Sequence, residues 1–339
     1  MRRSARARGR GMIALIGSAI VALSGSPAQA YLKLGLRDSA GSVSLRWTAQ
    51  PARYSVTDRG VPGVSSEQFR QAMERAFRTW EDVPTASVRF QFGGFTSAEP
   101  LEDDSASTLG FLSRPDLDRI LASTSFFVDT RTGEILESDV FFNSSLPWSV
   151  AQNGEPGRFD LESIALHEAG HFLGLSHSAL GETEPRSGGG HRVLGAGAVM
   201  FPIAFAAGNV EGRRLFPDDI AGVSDIYPDA GFRQDTGSVQ GRVTKDGDGI
   251  FGAHVVAYDP RTGDLVGNFA LEETGEFVIA GLKPGTHVLR VEPLDDAEIE
   301  SFFEEPSLDV EFQPTFYERL VVVPRGGGTP SIEIPVTAR

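Results

Sequence analysis

The chain of 339 residues contains no cysteine. Disulfides are thereby excluded, so an exported protein of this sequence must hold its fold by packing, supplemented by any bound calcium. It also lacks a positive balance: 31 Lys and Arg stand against 46 Asp and Glu, a net charge of −15. Such a surface disfavours nucleic acid and anionic membranes, and no nucleic-acid partner is expected. Past residue 30 no apolar run is long enough to span a bilayer. Histidine is scarce as well, six in all, yet three of them fall in one window of eleven residues.

The first thirty residues read as a secretory signal. Arg2, Arg3, Arg6, Arg8 and Arg10 make a basic start, Met12 to Leu23 is apolar but short, and Ala28-Gln29-Ala30 fits a small-residue cleavage pattern. Cleavage near Ala30 predicts a secreted, extracellular or periplasmic chain. It would take the net charge of −15 to −20, because those five arginines leave and the segment holds no acidic residue. The length that remains suits two domains.

The histidine window reads His167-Glu168-Ala169-Gly170-His171-Phe172-Leu173-Gly174-Leu175-Ser176-His177. Two histidines four apart on a helix share one face, one turn apart, and can bind a single zinc ion. Gly174 lets the helix stop and the chain turn, so that His177 returns as a third ligand. Three histidines leave one coordination position open, which marks a catalytic rather than a structural zinc. Glu168 sits beside the metal and suits a general base acting on water acidified by zinc. Asp160 is placed to cap this helix, and Leu161, Ile164, Ala165, Phe172 and Leu173 supply its apolar faces. His191, His254 and His287 read as ordinary loop or strand surface residues.

Upstream, Ser65 to Glu81 predicts an amphipathic helix, with Phe69, Ala72, Met73, Ala76, Phe77 and Trp80 on one face and Ser65 with Gln68 as a capping box. Val88 to Phe92 alternates as a strand, and Gly93 to Ser107 reads as an acidic loop. Thr124 to Val128 and Ile135 to Phe142 flank a glycine-containing turn, hence a hairpin. Asp103, Asp104, Asp129 and Glu134 are candidate calcium ligands, although solvated loop acids are the commoner case. Asp218 and Asp219 read as helix-capping acids or partners of a buried charge.

These residues resemble the metzincin metallopeptidases, and Ser178 after the third histidine is similar to the matrixin branch. Ala198-Val199-Met200-Phe201-Pro202 resembles the matrixin Met-turn, with Met200 supporting the histidines from beneath. Leu215 to Tyr227, Phe69 to Trp80, and Asp139 to Asn143 with Trp148 are similar to the last helix, the first helix and the strand before the active-site helix. The resemblance covers about residues 40–230. It implies an α+β catalytic domain over 31–230, with a twisted mixed sheet, active-site helix and Met-turn. It further implies a single catalytic Zn2+ on His167, His171 and His177, Glu168 as base, and a protein or peptide substrate laid along an edge strand, for which Ser123 to Val128 is the candidate. Departures accompany it. Without cysteine there is no thiolate latency switch, too few histidines remain for a second zinc, Ala204 replaces a family tyrosine, and Ser178 to Ala198 is long and glycine-rich, a candidate flap or insertion.

After Tyr227-Pro228 the composition changes. Asp229 to Gly237 reads as a polar linker, and from Ser238 short β-rich runs predict a small all-β sandwich over 238–339. Gly241-Arg242-Val243, Gly252-Ala253-His254-Val255, Gly275-Glu276-Phe277 and Gly281-Leu282-Lys283-Pro284-Gly285 resemble transthyretin-like regulatory domains, which imply no chemistry. The whole therefore reads as a secreted zinc-dependent endopeptidase. The alternative is a non-catalytic secreted binding or adhesion protein that uses the C-terminal sandwich.

Overall fold

The structure is a computed structural model and describes residues 33–38, 41–187, 190–294 and 308–339. The signal segment read over residues 1–30 lies outside the described residues. No helix among the described residues is long and apolar enough to cross a membrane.

Strands β1 (Gly35–Asp38) and β2 (Gly41–Ser44) pair antiparallel. Next come β3 (Ala52–Thr57) and helix α1 (Ser66–Glu81). The helix starts where its sequence says. Ser65 Oγ accepts the Gln68 N–H and the Gln68 side chain accepts the Ser65 N–H, a reciprocal cap. Its buried face is the one the spacing marks: Phe69, Ala72, Met73, Ala76, Phe77 and Trp80. Strands β4 (Phe90–Thr96), β5 (Thr108–Leu112), β6 (Ala122–Asp129) and β7 (Glu134–Asn143) complete a five-stranded sheet of order β4-β3-β5-β7-β6. All neighbours in it are parallel except β6, which runs antiparallel to β7 and forms one edge. The β4 strand runs further than the alternation at Val88 to Phe92 suggests, because Val56 and Thr57 of β3 carry the pairing on to Phe95 and Thr96 past a register shift.

Short strands β8 (Trp148–Ser149) and β9 (Phe159–Asp160) lead into helix α2 (Leu161–Phe172), which carries the first two histidines of the window. The helix packs on α1, where Trp80 Nε1 donates to Leu166 O at 2.9 Å. Phe172 is fully buried, 5.3 Å edge-on to Phe77 and 5.1 Å from Trp47, with which it stacks. Between the third histidine and the Met200 segment the chain forms a hairpin of β10 (Gly181–Pro185) and β11 (His191–Ala196), so most of the glycine-rich insertion is paired strand.

Helix α3 (Pro217–Ile226) follows. Over the stretch read as a polar linker the chain instead forms a short helix α4 (Phe232–Asp235), because Phe232 is buried and Asp229 Oδ1 accepts the Gly231 and Phe232 N–H groups. Beyond it, β12 (Gly237–Lys245) and β13 (Asp248–Gly249) begin one further sheet, and β14 (His254–Tyr258) and β15 (Leu265–Phe269) begin another. Strands β16 (Glu276–Leu282) and β20 (Ile332–Val336) join β12. Strands β17 (Gly285–Glu292), β18 (Thr315–Phe316) and β19 (Val321–Val323) extend the sheet of β14. Val239, Val243, Phe277 and Ile279 of the first sheet and Val255, Leu289, Val291 and Val323 of the second lie in one buried cluster, which is continuous with the core around α1 and α2. His254 and His287, read from sequence as surface residues, are each 2% exposed. His254 is buried because its ring stacks on Phe269 and its Nδ1 meets Glu292 Oε1 at 3.1 Å.

Candidate metal centre

Helix α2 is capped by Asp160, whose carboxylate accepts the Ser163 N–H at 2.9 Å. The same carboxylate takes Arg213 Nε at 2.8 Å, while Arg213 also donates to the Ala151 and Gln152 carbonyls. At the other end Gly174 has φ +94°, its N–H donates to His171 O at 2.7 Å, and Leu175 N–H donates to Gly170 O at 3.0 Å, the paired bonds of a left-handed helix stop. A Cβ on Gly174 would also stand 2.3 Å from Leu45 O, so glycine is required there twice over. Tyr227 Oη donates to Leu173 O at 2.8 Å and Trp47 Nε1 to Phe172 O at 2.8 Å, satisfying carbonyls that the helix leaves free.

The stop brings His177 back to the helix. The rings of His167, His171 and His177 form a triangle with centroids 4.8, 4.8 and 5.5 Å apart. One ligand atom from each lies within 4.8 Å of the others. His167 Nδ1 is 2.8 Å from Val199 O and His171 Nδ1 is 2.8 Å from Leu175 O. A carbonyl can only accept, so both Nδ1 atoms carry the proton and both Nε2 atoms present a lone pair. Burial holds His167 below the usual imidazole range. It holds His171 well below that range, helped by the neighbouring His167 and His177. His171 Nε2 and His177 Nε2 are 3.2 Å apart. Two nitrogens at about 2.0–2.1 Å on a tetrahedral zinc would stand about 3.3–3.4 Å from each other. The donor set, its tautomers and its spacing thus fit a zinc ion. Among the described residues this is the one group of three or more His, Cys, Asp or Glu side chains so placed, and Asp103, Asp104, Asp129 and Glu134 form no such group.

Glu168 is 4% exposed and points toward the sheet edge, where Thr124 Oγ1 of β6 donates to its Oε2 at 2.6 Å. Burial pushes the Glu168 carboxyl up to about 7, against the opposing pull of the Thr124 hydroxyl. Thr124 is a site residue that sequence reading does not single out, since a threonine in a strand is unremarkable until the strand is placed.

Met200 is buried beneath the helix. A Cβ on Gly170 would come 2.2 Å from Met200 Sδ and 2.9 Å from Trp80 Cζ2, so the glycine between the histidines is what admits the methionine. A lone glycine inside a helical pattern was the available signal. The turn around Met200 is fixed from α3: Asp219 accepts the N–H groups of Val199 (2.8 Å), Met200 (3.2 Å) and Phe216 (2.8 Å). Asp219 therefore caps α3, one of the roles the sequence offers, and also ties the helix to the histidine-bearing region through backbone N–H groups. Burial and the adjacent Asp218 push its carboxyl up to about 7. His191 stays on the hairpin, where its Nδ1 is 3.3 Å from Thr183 Oγ1.

Comparison with known proteins centres on the same region. The matrixin family model matches residues 46–183. Human matrix metalloproteinase-20 is 28% identical over 184 residues, 54% of this chain and 32% of its own length. Rat matrix metalloproteinase-16 is 27% identical over 190 residues, and the hatching enzyme of Paracentrotus lividus 27% over 196, each covering 54% of this chain and 27% of the relative. The chain thus spans a third or less of the length of these relatives. Among solved structures, the Streptococcus agalactiae minor pilin GBS52 aligns with 31% of this chain and 46% of its own at 14% identity and a TM-score of 0.21, too low to assign a fold. The part of the chain that carries the three histidines and Glu168 is matrixin-like in sequence, which supports a metalloendopeptidase function at the family level.

Proposed function

We propose that this chain is a secreted zinc-dependent endopeptidase, with His167, His171 and His177 as metal ligands, Glu168 as general base and Met200 as the support beneath them. The observation that carries the reading is the convergence of one ligand atom from each of three imidazoles within 4.8 Å of one another beside a buried carboxylate. Zinc held there supplies Lewis acidity to a scissile carbonyl and acidifies a water molecule. Glu168, poised near neutrality, accepts the proton of the attacking water and delivers it to the leaving amine. Thr124 holds Glu168 in place by its hydroxyl.

The substrate is an extended peptide paired along β6. This strand ends the sheet and touches the zinc helix through Thr124, which favours it as the docking edge. Main-chain pairing of this kind gives affinity with little side-chain selectivity. The catalytic domain occupies residues 31–230 behind a signal segment cleaved near Ala30, and residues 238–339 form a transthyretin-like β-sandwich with no chemistry of its own. The two sheets of β12–β20 and their shared apolar core favour that last assignment.

The test is the zinc content of the mature chain and its cleavage of a denatured protein, for the wild type and Glu168→Ala. The variant is expected to keep its zinc and to lose activity by about 10²–10⁴-fold, the usual contribution of a positioned acid–base group. Equal activity in both proteins, or zinc in neither, sinks the reading.

A further inference from the structure

Helix geometry presets His167 and His171, but His177 lies beyond the helix and needs another scaffold. The chain leaving it supplies one. Ser178 N–H donates to Met200 O at 2.9 Å, and Ser178 Oγ donates to Asp218 Oδ2 at 2.6 Å while accepting the Leu180 N–H at 3.3 Å. The other oxygen of Asp218 accepts the Gly267 N–H of β15 at 2.8 Å. Asp218 is 1% exposed and Ser178 5%, so water does not compete for these bonds. The next two residues are embedded in the same C-terminal sheet: Ala179 clusters with Phe269 and Leu294, and Leu180 with Val256 and Leu265. Position 267 is shaped for the contact. A Cβ there would lie 2.5 Å from His254 Nε2, so a larger residue would force His254 or β15 to shift.

We infer that Asp218 is a positioning residue for the metal centre, through which the C-terminal sheets fix the third ligand, His177. The inference rests on the zinc site proposed above. It makes the C-terminal region a structural part of that site rather than an appended module. A buried carboxylate with one donor on each side transmits position in both directions. Zinc binding must therefore stabilise the Gly267 contact by as much as the contact stabilises zinc binding.

Two measurements on the full chain test this. Zinc affinity by chelator competition is expected to fall about 10–100-fold in Ser178→Ala and in Asp218→Ala, the range for groups that hold a metal ligand from behind. Phe277→Leu, which loosens the other C-terminal sheet, is expected to stay within about twofold of wild type. Hydrogen exchange of the β15 amides, Gly267 included, is expected to slow on adding zinc to the wild type and not in Ser178→Ala. Should Asp218→Ala fail to fold, Ser178→Ala and the wild-type exchange decide the matter. Zinc affinity of Ser178→Ala within twofold of wild type, or β15 exchange indifferent to zinc, overturns the inference while leaving the zinc site standing. No zinc binding by the wild type overturns both.

Discussion

At the scale of single residues the proposed chemistry turns on how far the protein lifts the Glu168 carboxyl. Burial raises it to about 7, and the Thr124 hydroxyl, by bonding the ionised form, opposes that rise. Thr124→Val removes the opposing bond, so the carboxyl must ionise at higher pH still. A base works only when ionised; the acid limb of kcat/KM is therefore expected to move to higher pH, with the alkaline plateau much less affected. A pH–rate profile with an unmoved acid limb would show that Thr124 does not act on this carboxyl. The convergence of His167, His171 and His177 was legible in the sequence because their spacing encodes a helix face and a turn. Thr124 was not, since it comes from a strand 44 residues earlier and meets Glu168 only when sheet and helix pack. The carbonyls of Val199 and Leu175 that set the imidazole tautomers were equally out of reach, because backbone atoms carry no sequence signature.

Among the elements, two contacts govern the site. Helix α2 lies directly on the Met200 turn, with Gly170 as the point of approach. Gly170→Ala is expected to cost about 1–3 kcal/mol of stability through overpacking and to weaken zinc binding, read together by denaturant unfolding and chelator competition. Wild-type values in both would mean that Met200 moves aside without consequence. Strand β7 carries a different tension. Glu137 is buried, its Oε1 has no hydrogen-bond partner among the described residues, and burial next to Asp139 pushes its carboxyl up to about 7 from an ordinary value of 4.5. A raised carboxyl means that the folded state binds the proton more tightly than the unfolded one. The stabilisation from that proton is complete below about 4.5 and is lost as pH rises through about 7. Glu137→Gln, which mimics the protonated form, is therefore expected to match wild type near pH 4 and to exceed it at pH 8 in urea midpoint. A gap that shrinks with rising pH would refute the sign. The helix starts at Ser65 and Asp160 follow from local capping chemistry and were readable in advance. The α4 turn and the β10–β11 pairing were not, because Phe232 and the hairpin strands are organised by partners far along the chain or across a turn whose register the glycines leave open.

For the whole molecule the decisive fact is that the core does not stop at Tyr227. Helix α3 faces both parts: Asp219 bonds the Met200 turn, while Ala221 approaches Gly281 of β16 so closely that a Cβ there would lie 2.8 Å away. Apolar residues on either side of this helix form one cluster. Joined parts that share buried apolar surface unfold together, whereas loosely tethered ones unfold separately. Scanning calorimetry of the full chain is expected to give a single transition, and two resolved transitions would show the parts to be independent. By itself the sequence determined what short-range rules can fix: the absence of disulfides, the acidic surface, the capped helices, the three histidines and the carboxylate beside them. Their periodicity and spacing are local quantities, set by 3.6 residues per turn and by the backbone freedom of Gly174. Tertiary structure alone decided what surrounds that motif: Thr124 on the carboxylate, Asp219 under the methionine turn, and Asp218 reaching Gly267 across 49 residues of chain. Those partners are joined by burial and by the need of every buried polar group for a bond, and neither is settled until the whole chain has packed.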